Sequence, residues 1–161
     1  MQNYFITATD TDAGKSVVTA LMFDYFCKRG IKSVTQKWIQ TGDVSDLKFH
    51  YEFAGQKIEG NCSYSFKFPA SPHLSSSLEN IKINKNKIKN DYQKLSAKFD
   101  KVIVESSGGV LVPYNNKSFM IDIAKELDLS VILVVLNKLG AINQALLSIE
   151  ALQNRKLKIK G

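Results

Sequence analysis

Residues Thr7 to Ser16 read TATDTDAGKS, a lysine and a hydroxyl directly behind a glycine. They lie between a short apolar run (Tyr4, Phe5, Ile6) and an amphipathic stretch. Strand, tight loop, Gly-Lys-Ser and helix are the parts of a phosphate-binding loop. Backbone N–H groups at the helix N-terminus surround phosphate oxygens, the lysine neutralises the terminal phosphates, and the hydroxyl coordinates Mg²⁺. Here Gly14 gives backbone freedom, Lys15 the cation and Ser16 the metal-facing hydroxyl. Thr9 stands where G-x-x-x-x-G-K-[ST] has its first glycine, so the motif draws its weight from its place at a strand–helix junction. The ordinary alternative is a capped helix start with a surface lysine.

Further polar residues gather at what read as strand ends. Lys37 is followed by Gln40-Thr41-Gly42-Asp43 and then Asp46; Glu105 is followed by Ser106-Ser107-Gly108-Gly109; Asn137 and Lys138 close a later apolar run. A carboxylate ending a β-branched strand beside a phosphate loop is a natural partner for Mg²⁺ or water. A lysine there can hold a second anion. Each residue alone also has a plain reading: Glu105 as a cap, Lys37 as a snorkelling edge residue, Asp46 as a helix N-terminal acid. His50, in LKFHYEF, reads as a helix-surface residue.

The elements that must position these residues alternate between strand and helix. Val17, Val18, Leu21, Met22, Tyr25 and Phe26 recur at three- and four-residue spacing, predicting a helix over Lys15–Arg29 with Gly30 at its C′ position. Strands are predicted over Ile31–Ile39, Phe99–Glu105 and Val131–Leu136, the last apolar enough to be covered on both faces. Helices are predicted over Ser118–Leu127, capped by Ser118, and along Ile142, Ala145, Leu146, Ile149 and Leu152. The fold class is therefore α/β, a doubly wound, mostly parallel sheet with helices on both faces, of phosphate-loop NTPase type. Its ligands bind beyond the carboxyl ends of the strands.

The chain of 161 residues reads as a single nucleotide-binding α/β domain, residues 1–161. It contains no apolar run of membrane-spanning length and no basic-then-apolar leader, and Cys27 and Cys62 form no C-x-x-C pair, so a reducing cytoplasm is expected. The net charge of +7 owes much to Ile81–Lys94, where Lys82, Lys85, Lys87, Lys89 and Lys94 face only Asp91. That segment has no Arg and one Tyr, which fits a solvated helix face rather than a nucleic-acid groove.

The chain resembles the dethiobiotin synthetase family in a series of blocks. TATDTDAGKS looks like that family's T-G-T-D-T-x-V-G-K-T loop, with its extra residue between the glycines. KWIQTG at Lys37–Gly42 resembles K-P-x-x-[ST]-G, Ser45-Asp46 follow, and SPHLSS at Ser71–Ser76 resembles the S-P-H segment. VIVESSGGVLVP at Val102–Pro113 is similar to V-E-G-A-G-G-x-x-x-P, and LNKLGAINQALLSIEAL at Leu136–Leu152 resembles K-L-G-x-I-N-H-x-x-L. Departures are Ala8 for the first loop glycine, Asp12 for Glu, Trp38 for Pro, Ser106-Ser107 for Gly-Ala and Gln144 for His. The chain also ends at Gly161, so the family's adenine-recognising C-terminal segment is expected to be lacking.

The resemblance implies ATP- and Mg²⁺-dependent closure of a cyclic urea on 7,8-diaminopelargonic acid with CO₂ or bicarbonate, in biotin synthesis. It assigns Lys15, Lys37 and Thr11 to catalysis. Asp12, Ala13, Gly14, Lys15 and Ser16 would hold the nucleotide, and Ser16, Asp46 and Glu105 the Mg²⁺. Thr41, Ser107, Gly108, Gly140, Ala141 and Asn143 would bind substrate, the last three across a homodimer boundary. His73 is placed near the substrate by resemblance alone, with a capping role as the alternative. No nucleic acid or membrane partner is expected. Two other readings use the same fold: a non-catalytic nucleotide binder, and a partition-type ATPase switch, which commonly carries an early loop lysine where Thr9, Asp10 and Thr11 stand here.

Overall fold

The computed structural model describes residues 2–161. In chain order the elements are β1 (Tyr4–Ala8), α1 (Lys15–Lys28), β2 (Ser33–Thr41), α2 (Asp46–Ala54), β3 (Asn61–Phe66), α3 (Pro72–Leu78) and α4 (Lys85–Ser96). They continue as β4 (Lys101–Glu105), β5 (Pro113–Asn115), β6 (Ser118–Phe119), α5 (Met120–Glu126), β7 (Ser130–Val134), α6 (Ala141–Asn154) and β8 (Lys158–Ile159). The main sheet has the order β3-β2-β4-β1-β7-β8, and every pair in it is parallel. From β1 the chain crosses outward to β2; from β4 it crosses back past β1 to β7. The winding direction changes between β1 and β4, and a ligand crevice belongs at their carboxyl ends.

Alternation along the strands divides the interior into two layers. Phe5, Val34, Trp38, Val102 and Val104 face one side and pack with Ile88 and Tyr92 of α4, Ile121 of α5 and Leu152 of α6. Ile6 and Ile103 face the other, against Phe23 of α1 and Tyr51 of α2. On this second side the odd-numbered positions of β2 carry Thr35 and Lys37, and β4 ends in Glu105. The same period of two that buries Ile103 therefore aims these polar groups at α1 and α2.

Local chemistry sets the element ends. At α1 the Gly30 N–H bonds Cys27 O at 2.9 Å and the Ile31 N–H bonds Phe26 O at 3.1 Å, the paired bonds of a Schellman cap, with Gly30 at φ 72°. The expected Ser118 cap is not made. Ser118 pairs with Asn115 in a small antiparallel hairpin, the helix starts at Met120, and Asp122 accepts the Phe119 N–H at 2.8 Å instead. The lysine-rich helix starts at Lys85 rather than Ile81, because Asn84 caps it by accepting the Asn86 N–H at 2.9 Å. Lys85 and Lys89 pair with Glu126, and Lys87 pairs with Asp91, so this face is solvated and partly neutralised. Helix α6 forms where its apolar spacing predicts it, but only Leu152 is buried while Ile142, Leu146 and Leu147 stand exposed. Among the described residues no helix is long and apolar enough to cross a membrane.

Candidate active site

The loop after β1 turns through two left-handed residues, Asp12 at φ 55° and Gly14 at φ 99°. Gly14 meets that φ at no steric cost and caps α1 without a side-chain acceptor, leaving the first helical N–H groups for an anion. Ala8, the departure from the family's first glycine, is the last residue of β1, paired with Val134. It lies in extended backbone, where a Cβ carries no penalty. Gly109 matters more: a Cβ there would lie 3.4 Å from Thr9 O, so the loop after β4 packs closely on the phosphate loop.

Strands β2, β4 and β1 are neighbours, and their carboxyl ends bring together residues far apart in sequence. Lys37 and Glu105 are register partners across β2 and β4. Lys37 Nζ donates to Glu105 Oε1 at 2.8 Å and to Ser106 O at 3.0 Å, and lies 2.6 Å from Asp46 Oδ2. Ser16 Oγ lies 2.8 Å from Asp46 Oδ1 and 3.0 Å from Glu105 Oε1. Ser45 caps α2 by accepting the Lys48 N–H, which fixes Asp46 as its first residue and points it into the cluster. Thr11, Asp12, Gly14, Lys15, Ser16 and Thr41 line the same cleft of about 460 Å³, with Lys37, Asp46, Glu105, Ser107 and Gly108. Ala13, within the loop, is buried.

One expectation is corrected here. His50 is not on the helix surface; it is fully buried, with Nε2 2.7 Å from Glu105 Oε2 and Nδ1 3.2 Å from Thr35 Oγ1. Its signal in the sequence was the four-residue spacing from Asp46, which puts both on one face of α2. Lys15 is not a surface lysine: it is 7% exposed, and Nζ donates to Asp10 O at 3.1 Å. His73 is outside the cleft, 3.0 Å from Ser71 Oγ at the start of α3. Gly140, Ala141 and Asn143, at the N-terminus of α6, also lie outside it.

The two lysines are in opposite electrostatic positions. Burial works against the charge on Lys37, but Glu105 and Asp46 outweigh it and raise its pKa. Burial lowers the pKa of Lys15, Lys37 lowers it further, and Glu105, Asp46 and Asp12 offset this only in part. Lys37 is thus satisfied, whereas Lys15 forms no salt bridge among the described residues. Burial likewise opposes ionisation of Glu105, but Lys37 and the hydrogen bond from His50 prevail and hold its pKa at about 2, from 4.5.

A folded-state pKa below the ordinary value makes this carboxylate stabilising above about pH 4.5, with the contribution lost as pH falls from 4.5 toward 2. The shift corresponds to about 3 kcal/mol. Urea unfolding of the metal-free protein should show that loss across this window, and Glu105→Gln should flatten it. An equal acid slope in both proteins would contradict the pairing.

The sequence profile of the AAA domain family matches residues 2–161. The chain is 36% identical to "ATP-dependent dethiobiotin synthetase BioD 2" of Pasteurella multocida over 97% of its own length and 78% of the relative's. It is 38% identical to "ATP-dependent dethiobiotin synthetase BioD" of Sulfurovum sp. over 98% of its own length and 79% of the relative's.

This chain belongs to the dethiobiotin synthetase family.

A ParA family ATPase from Chlorobium tepidum superposes with a TM-score of 0.55 at 10% identity, covering 99% of this chain and 70% of that one. That likeness extends the phosphate-loop fold beyond the dethiobiotin synthetases and says nothing of activity. Within the family, the cleft collects the nucleotide-loop, carboxylate and second-lysine positions, and the α6 positions stand apart from it.

Proposed function

We propose that this chain uses ATP and Mg²⁺ to close a cyclic urea on 7,8-diaminopelargonic acid with CO₂, giving dethiobiotin, ADP and phosphate. One observation carries the reading: a second buried lysine, Lys37, converges with the phosphate loop and two carboxylates at the ends of three adjacent strands. A loop that only binds nucleotide has no use for it.

In this reading one substrate amine captures CO₂ as a carbamate and loses a proton. A carbamate oxygen attacks the γ-phosphorus and ADP leaves. The second amine then attacks the carbamate carbon, and phosphate leaves as the ring closes. Lys15 meets the β- and γ-phosphates with the N–H groups behind Gly14, while Asp12 and Ala13 shape that loop. Thr11 and Thr41 donate hydrogen bonds at the two sides of the cleft, and Ser107 and Gly108 border the substrate. The protein's part is chiefly alignment and charge neutralisation.

Ser16, Asp46 and Glu105 fit a hard cation that takes one or two carboxylates and completes its shell with phosphate oxygens and water. Mg²⁺ bound there supplies charge screening for the transferring phosphoryl group. Lys37 now neutralises both carboxylates; with their charge met, its ammonium is available to the carbamate.

We further propose a homodimer in a cytoplasmic setting. The exposed Leu139, Ile142, Leu146 and Leu147 support a contact through α6, which would bring Gly140, Ala141 and Asn143 to a partner's substrate. ATP turnover with and without diaminopelargonic acid and bicarbonate tests the central reading. ADP release that depends on both supports the synthetase. Release that ignores them would point to a switch.

A further inference from the structure

We propose that His50 is a positioning residue that fixes the orientation of the Glu105 carboxylate, so that Oε1 alone faces Ser16 and Lys37; the inference rests on the metal set proposed above. A glutamate's terminal torsion is broad, and a carboxylate at a strand end can offer either oxygen or both. Here the choice is made. Nε2 of His50 donates to Oε2 at 2.7 Å, while Oε1 lies 2.8 Å from Lys37 Nζ and 3.0 Å from Ser16 Oγ. The imidazole is itself held by Thr35 Oγ1, 3.2 Å from Nδ1, and both Thr35 and His50 are fully buried.

The arrangement follows from two periodicities. On α2, His50 lies one turn beyond Asp46, so one helix face supplies both a carboxylate of the cluster and the group that orients the other carboxylate. On β2, Thr35 lies two residues before Lys37 and shares its face, so one strand supplies both the orienter of His50 and the cation of Glu105. Without His50, Oε2 would be a buried acceptor lacking its donor, and the carboxylate would turn to share Lys37 through both oxygens. Ser16 would then lose its second partner. Groups that orient metal-binding side chains act on the affinity for the ion more than on the nucleotide itself.

The test is binding of a non-hydrolysable ATP analogue to the full chain, titrated with Mg²⁺ and without it. In His50→Leu the Mg²⁺ concentration for half-maximal enhancement should rise about 10–100-fold, while metal-free analogue affinity stays within about threefold. His50→Gln, whose amide reaches Glu105, should restore the wild-type response; His50→Asn, equally polar but one methylene shorter, should behave like Leu. If the Leu variant does not fold, the Gln and Asn pair decides. Unchanged Mg²⁺ dependence in His50→Leu, equal behaviour of Gln and Asn, or a matching loss of metal-free binding would overturn the proposal. A wild-type protein with no Mg²⁺ enhancement would overturn the metal set itself and this inference with it. Wild-type enhancement with unaltered variants would overturn this inference alone.

Discussion

Lys37→Met should lower dethiobiotin formation by a factor of about 100 or more, since charge stabilisation at a reacting oxyanion is worth about 3 kcal/mol. Methionine keeps most of the bulk of the side chain. The loss is therefore one of charge, and ATP binding should fall only modestly because Lys15 and the loop are untouched. Stability should change as well. Lys37 is the ammonium between Glu105 and Asp46, and breaking a buried pair from one side costs about 3–5 kcal/mol. Without Mg²⁺ the melting temperature should drop by several degrees, and Mg²⁺ with nucleotide should recover part of it by neutralising the same carboxylates. Product assays at low temperature separate the chemical defect from the thermal one. Product formed at the wild-type rate would remove Lys37 from the chemistry and leave the synthetase mechanism without its second cation.

Lys15→Ala should have a far smaller effect on stability and an equally large functional one. Lys15 is a buried cation that Lys37 disfavours and the carboxylates satisfy only in part. Its removal forfeits one hydrogen bond to Asp10 O, a change of about 1 kcal/mol or less. Nucleotide-dependent turnover should nevertheless fall by about 100–1,000-fold, because that cation is the one left for the phosphates. Isothermal titration with ATP and a steady-state ADP assay, beside a thermal melt, would measure all three quantities. ATP affinity and turnover equal to wild type would refute the phosphate-loop assignment. The two lysines thus differ in a way that residue type alone does not reveal.

Much of the site was nonetheless legible along the chain. Tyr4–Ser16 declared a strand, a loop and a helix start because the apolar run, Gly14, Lys15 and Ser16 are adjacent and their chemistry is local. Glu105 after Val102-Ile103-Val104 and Asp46 after Ser45 were visible for the same reason, one ending a strand and the other starting a helix. The strand Asn61–Phe66 is not legible in the sequence, since NCSYSF carries neither strong alternation nor a continuous apolar run. Ser118 has the residue type of a helix cap but does not act as one, because a two-residue hairpin strand takes it before the helix begins. His50 reads as exposed because LKFHYEF places it among alternating polar and aromatic residues, and only its four-residue spacing from Asp46 marks the face of α2 that turns inward.

By itself the sequence determined the parallel α/β class, the phosphate loop, the family, and the candidate carboxylates and lysines. Each of these rests on adjacency or short spacing, where propensity and periodicity act. The tertiary structure alone decided that Lys37 and Glu105 are register partners, that Lys37 is neutralised while Lys15 is not, and that His50 lies buried behind Glu105. Those facts depend on the strand order β2-β4-β1, which brings together residues as distant in sequence as Ser16 and Glu105, 89 positions apart. Charge state and burial are properties of such an assembled neighbourhood, because the field and solvent exclusion at each group come from residues that only the folded sheet brings beside it.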